Sequence, residues 1–270
     1  MIVTGAVSTP LDWERHDRQW YAMLKKHHLT YMNFDDLCNR RDEFKGRSEA
    51  ELQQIFQDFG QSAHVNTWFG LNTILLDEDF RQFKGPTKGI GSELSHLLDS
   101  DYGVSIRVIY AFLHTWIPKV PGVNDPQIYV VAERGHPNQG AVETLFAEYR
   151  KSFPPEEQVI RDVRLADKKT VYGVQCADLH GGCVQMVESG KKSTLAPQKI
   201  ELAVKEIPDA DHMSDCLIHT PTRVRWFRLP IDQEVLTHLR NSVILSKPRF
   251  TALYGEQLIP PLSQFSGQPA

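Results

Sequence analysis

Val171–Glu188 reads VYGVQCADLHGGCVQMVE. The fold is decided by how this stretch is understood. Its centre is Gln175-Cys176-Ala177-Asp178, where an acid sits inside an apolar run at the start of an expected helix. A carboxylate placed there is costly unless a cation or a hydrogen-bond network pairs with it. Gly181 and Gly182 follow. Glycine weakens a helix by roughly 1 kcal/mol, so two together call for a reason, and close approach of the helix to a sheet is one. A second carboxylate of the same kind is Glu133, at the end of the apolar strand Ile128-Tyr129-Val130-Val131-Ala132.

Working outward, Asp125–Gly135 and Val159–Leu165 read as strands, with a helix near Gly140–Tyr149 between them carrying Val142, Leu145, Phe146 and Tyr149 on one side. Ile106, Ile109, Tyr110, Leu113 and Ile117 recur at helical period until Pro118, and Val108, Phe112 and Trp116 broaden that face, which predicts a central, buried helix. Thr67–Leu76 is a strand rich in β-branched and aromatic residues. Strands alternating with helices predict an α/β domain with a mixed or parallel sheet.

At the N-terminus, Met1–Ser8 reads as a strand. Thr9 and Pro10 then open a helix, with Thr9 as cap and Trp13, Trp20, Tyr21 and Leu24 as its buried face. Tyr31–Glu43, polar and acidic, reads as a solvated loop. Ser48 and Glu51 form a capping box ahead of Leu52, Ile55, Phe56 and Phe59. Lys84–Ser92 (KGPTKGIGS) lacks P-loop spacing and reads as a connection; a phosphate-binding enzyme built on it is the weakest functional alternative. After Ser189, Ile200–Ile207 suits helix or strand, Arg223–Leu229 a strand and Asp232–Val243 a helix.

The totals bound the class. The 270 residues are 41% hydrophobic and 24% charged, which predicts a soluble globular protein with a sizeable core. A net charge of -4 gives no global nucleic-acid signature, so any such binding depends on a local patch. The four cysteines show no Cys-x-x-Cys spacing, which predicts reduced thiols and argues against zinc. No apolar run is long enough for a membrane span, and no cationic segment precedes the first apolar residues. A cytoplasmic protein is the expectation.

Glu133 ends a strand, and in open α/β sheets ligands gather at the carboxyl ends of strands. If Glu133 and Asp178 converge, their oxygens suit Mg²⁺ or Mn²⁺, and two such ions would serve phosphodiester cleavage. Spacing alone fits a plainer assignment better: Glu133 paired with an arginine, and Asp178 merely capping the helix on whose first turn it lies. Arg223, Arg225 and Arg228, interleaved with Trp226 and Phe227, have the chemistry to grip a nucleic-acid backbone while stacking bases. The plainer reading of that segment is an edge strand with a solvated charged face. His180 lies near Cys176 and Cys183, where packing explains it better than thiol or metal chemistry.

Three segments carry a family resemblance: the N-terminal strand and helix ending near Tyr31–Asp36, the strand Val130–Gly135 (VVAERG), and Val174–Leu179 (VQCADL). Together they resemble the domain of unknown function 3800 family, a bacterial and phage-associated group placed among ribonuclease H-like folds. The resemblance implies a ribonuclease H-like mixed sheet flanked by helices over residues 1–189, with a C-terminal α/β appendage over 190–270. It matches Glu133 and Asp178 to two of the family's acidic positions, as Mg²⁺ or Mn²⁺ ligands and catalytic residues, and Gln175 to the glutamine that orients one of them. The implied activity is metal-dependent nuclease chemistry. The family's first strand carries Asp-Glu-Ser-Gly or a close variant, which this chain lacks; Met1-Ile2-Val3 looks like the family's second strand. Without the first-strand acid the remaining carboxylates should hold metal poorly. The alternative is therefore a non-catalytic interaction or nucleic-acid-binding protein on the same fold.

Overall fold

The computed structural model describes residues 1–67, 69–84, 100–119, 123–189, 225–233, 235–237 and 239. It is a mixed α/β protein. Its elements in order are β1 (Ile2–Val7), α1 (Pro10–Lys26), α2 (Phe34–Asn39), α3 (Glu49–Asn66), β2 (Phe69–Leu75), α4 (Asp77–Lys84), α5 (Asp101–Trp116), β3 (Ile128–Glu133), α6 (Gly140–Ser152), β4 (Ile160–Ala166), α7 (Tyr172–Ser189) and β5 (Arg225–Ile231). The chain divides into two compact units. One comprises Ile2–Asn72 with Ala166–Arg228; the other comprises Met1, Thr73–Leu165 and Leu229–Ala270. We call them the α7 unit and the β3 unit.

The strands form two small sheets, one ordered β1-β2-β5 and the other β3-β4. Met1 and Leu75 exchange hydrogen bonds in both directions, at 2.7 and 3.0 Å, so β1 and β2 run antiparallel. That register sets Thr4 opposite Asn72. In the second sheet Ile128 N–H donates to the Val159 carbonyl at 2.8 Å, where both strands begin, so β3 and β4 are parallel. The crossover between them is α6, which makes β3-α6-β4 a βαβ unit.

Local signals explain most boundaries. Thr9 caps α1 by accepting from Asp12 N–H, with Pro10 in the first turn. Ser48 and Glu51 form the reciprocal capping box of α3. The buried face of α1 is His16, Trp20 and Leu24. Tyr21 is half exposed, because the buried stripe follows i, i+4, i+8 from His16. The segment expected as a loop after Tyr31 contains α2, which Asn33 caps by accepting from Asp36 N–H, and a 3₁₀ turn at Asp42–Phe44. Asp178 is in the second turn of α7, not the first, since that helix already begins at Tyr172.

In the α7 unit the core is Trp20, Leu24, Met32, Phe34, Leu37, Leu52, Ile55, Phe59, Cys176, Leu179 and Cys183, with Ile2 and Ala6 of β1 packed against it. The two glycines of α7 are explained here. A Cβ at Gly182 would lie 1.8 Å from Phe34 Cδ1, and one at Gly181 would lie 2.6 Å from Thr4 Oγ1. The helix thus approaches β1 and α2 closely enough to exclude side chains. In the β3 unit, α5 is buried along most of its length, as its pattern predicts. Tyr149 of α6 accepts at its hydroxyl oxygen from Val159 and Ile160 N–H, at 2.8 and 3.2 Å. The same hydroxyl lies 2.9 Å from His114 Nδ1 on α5. Among the described residues no helix is long and apolar enough to cross a membrane.

Candidate functional site

Gln175 and Asp178 stand one helical turn apart on α7, so their side chains leave the same face. Gln175 is fully buried. Its Oε1 accepts from Trp20 Nε1–H at 2.8 Å and from Met32 N–H at 2.9 Å, while Nε2 donates to the Lys168 carbonyl at 2.9 Å. One carboxamide thereby ties α1, the segment before α2 and the turn before α7. Every group it touches is a buried or half-buried donor or acceptor that would otherwise lack water.

Asp178 is engaged on both oxygens. Oδ1 lies 3.0 Å from Lys168 Nζ, and Oδ2 accepts from Phe34 N–H at 3.0 Å. Phe34 is the first residue of α2, whose amide has no partner within the helix. The carboxylate therefore caps a helix, though not its own as the plainer reading expects: that helix is α2, 144 residues away in sequence. With 16% and 25% of the Lys168 and Asp178 side chains exposed, the pair is shielded enough for its attraction to count.

Around it, Cys176 is wholly buried, and burial pushes its thiol up to about 12, so it packs rather than reacts. His180 and Cys183 are equally buried.

Mg²⁺ asks for near-octahedral oxygen ligands, usually one or two carboxylates with several waters. Asp178 as placed does not offer that. A divalent ion on Oδ1 would have to displace an ammonium, and Gln175 has its carboxamide oxygen filled twice over. Among the described residues no three His, Cys, Asp or Glu side chains gather as a metal group. The α7 carboxylate and carboxamide fit a structural clamp, and they do not fit a resident ion.

Glu133 belongs to the β3 unit, where it ends β3 with its side chain exposed. Burial raises the Tyr102 phenol, and the charge of Glu133 adds to that rise. Beyond it Arg134 donates to the Leu165 carbonyl at 2.9 Å, Gly135 takes φ +101°, and His136 stacks on Tyr102 with ring centroids 4.1 Å apart. Neither His136 nor Lys168 stands out in the sequence. Lys168 lies in a turn, ten residues before its partner, and His136 is one of eleven histidines.

Arg223 lies outside the described residues, as do the side chains of Arg225, Trp226 and Arg228; the backbone of Arg225–Ile231 forms β5. The loop expected at Lys84–Ser92 and the segment Ile200–Ile207 also lie outside them, except that Lys84 ends α4.

Compared with family models, curated proteins and solved structures, the chain matches none.

Proposed function

We propose that this chain is a non-catalytic nucleic-acid-binding protein on a ribonuclease H-like scaffold. The single observation that carries this reading is the engagement of both Asp178 oxygens, by Lys168 and by the first amide of α2. The acid that the resemblance makes a metal ligand serves here as a clamp. The arginines at 223, 225 and 228, interleaved with Trp226 and Phe227, supply the sequence support for nucleic acid.

The test is fluorescence anisotropy with end-labelled single-stranded DNA and RNA, run beside a cleavage assay in Mg²⁺ and Mn²⁺. The reading expects binding that weakens with salt and no cleavage above the no-protein control. Cleavage abolished by Asp178→Asn would overturn it.

A second reading, a Mg²⁺- or Mn²⁺-dependent phosphodiester hydrolase using Glu133 and Asp178 with Gln175 as orienting residue, draws support from one observation. Glu133 is exposed at the carboxyl end of a parallel strand, where α/β proteins bind ligands. It requires Lys168 to leave Asp178.

A further inference from the structure

The turn from β3 into α6 is built in a way that the clamp on α7 does not use. Asn138 N–H points at His136 Nδ1 across 3.1 Å. A backbone amide only donates, so Nδ1 must accept, and the neutral ring carries its proton on Nε2. The ring is held flat against Tyr102, itself buried, with 21° between the planes. No hydrogen bond reaches Nε2 among the described residues, and the side chain is partly exposed. The result is an N–H donor of fixed tautomer and fixed direction at the carboxyl end of a parallel strand.

Much of the backbone of the turn is already occupied. Gly135 N–H donates to Gln139 Oε1 at 2.6 Å, and Gln139, Ala141 and Val142 N–H groups donate to carbonyls within the turn. Recognition there falls to side chains. Arg134, two residues from His136, is exposed and tethered through one nitrogen to the Leu165 carbonyl, which leaves other N–H groups of the guanidinium to a ligand. Two donors of this kind, one charged and planar, suit phosphate oxygens.

We propose that the β3–α6 turn is a phosphate-binding site in which His136 Nε2–H and the Arg134 guanidinium donate to oxygens of a phosphate ester. Glu133, immediately before, opposes an anion and keeps the site weak until its charge is screened. The proposal rests on the nucleic-acid reading only for the source of the phosphate, a phosphodiester backbone.

The experiment uses the full chain labelled with ¹⁵N-histidine, the His136 signals being assigned from their loss in His136→Gln. Inorganic phosphate is titrated at pH 7.5 with EDTA present. The expected result is a saturable shift of the His136 Nε2 signal, about tenfold weaker in Arg134→Gln, as for loss of a charge-assisted hydrogen bond. In Glu133→Gln the shift saturates at about threefold lower phosphate, since a nearby like charge is gone. A His136 signal that phosphate leaves unmoved, or that saturates identically in Arg134→Gln, overturns the site. Single-stranded DNA then separates the two claims. DNA binding with an unmoved His136 sinks the turn but not the nucleic-acid reading. A phosphate response without DNA binding sinks that reading and leaves the turn standing.

Discussion

Lys168 Nζ lies 3.0 Å from Asp178 Oδ1, while Oδ2 of the same carboxylate holds the first amide of α2. A half-buried acid in an apolar run needs compensation, and here it comes from an ammonium and a helix N-terminus together. The bond from Phe34 N–H to Asp178 joins two elements distant in sequence, so it belongs to the folding of the unit before it belongs to any chemistry.

Gln175 should be the most sensitive position in that network. Gln175→Leu keeps the volume roughly but strands Trp20 Nε1–H, Met32 N–H and the Lys168 carbonyl. Each buried group left unsatisfied costs about 1–3 kcal/mol. Urea unfolding followed by tryptophan fluorescence should show a loss of about 3–5 kcal/mol. A loss below about 1 kcal/mol would mean that water replaces the amide.

The two glycines of α7 should respond unequally to alanine. At Gly182 the added Cβ meets the Phe34 ring at 1.8 Å, and the ring is part of the core. Gly182→Ala should therefore cost about 2–4 kcal/mol in thermal or denaturant unfolding, more than the gain in helix propensity returns. At Gly181 the obstacle is the Thr4 hydroxyl, which can rotate at the expense of its 2.9 Å bond to the Ala177 carbonyl. Gly181→Ala should be milder, and Gly181→Ala with Thr4→Ser milder still, because the Cγ2 methyl is removed.

His114 should give stability a pH dependence. Burial lowers its pKa below the ordinary 6.5, so the folded state keeps the ring neutral, with Nδ1 available to the Tyr149 hydroxyl. The unfolded chain then binds more protons just below pH 6.5. Stability is complete above the unfolded value and falls as pH drops from about 6.5 through the lower folded value. Unfolding midpoints measured between pH 8 and pH 5 should fall more steeply in the parent than in His114→Gln. Parallel curves would remove His114 from the account.

Asn72 should be a position where the protein can be made more stable. Both polar atoms of its carboxamide are buried and make no hydrogen bond among the described residues, opposite Thr4 in the β1–β2 register. An unsatisfied buried amide costs about 1–3 kcal/mol. Asn72→Leu, of similar volume, should raise the unfolding free energy by about 1 kcal/mol or more; a decrease would show that the amide has a partner in solution.

Much of the fold was legible because local chemistry declares it. Thr9-Pro10, the Ser48–Glu51 box, the helical period through Ile106–Ile117 and the βαβ pattern from Ile128 to Leu165 each name an element without reference to distant residues. What stayed hidden depends on partners far along the chain. α2 forms within an acidic stretch because Asn33 caps it locally and Asp178 reaches its first amide from the other end of the unit. Gln175 looks like a functional glutamine in sequence because nothing there announces that Trp20 and Met32 will fill its oxygen. β3 reads as an apolar strand ending in a costly carboxylate, and nothing in it tells that Tyr129, Val131 and Glu133 would alternate to the exposed side, nor that His136 beyond it would settle on Tyr102.

On the proposed function, Asp178 holds the fold together and does not hold a metal. Calorimetric titration of Mn²⁺ into the parent chain, Asp178→Asn and Glu133→Gln tests it most directly, with unfolding curves to confirm that each variant is folded. The expected result is no saturable heat that depends on Asp178, and a lower unfolding midpoint for Asp178→Asn. Stoichiometric Mn²⁺ binding in the parent that both variants lose would contradict it and put the two carboxylates at one metal site.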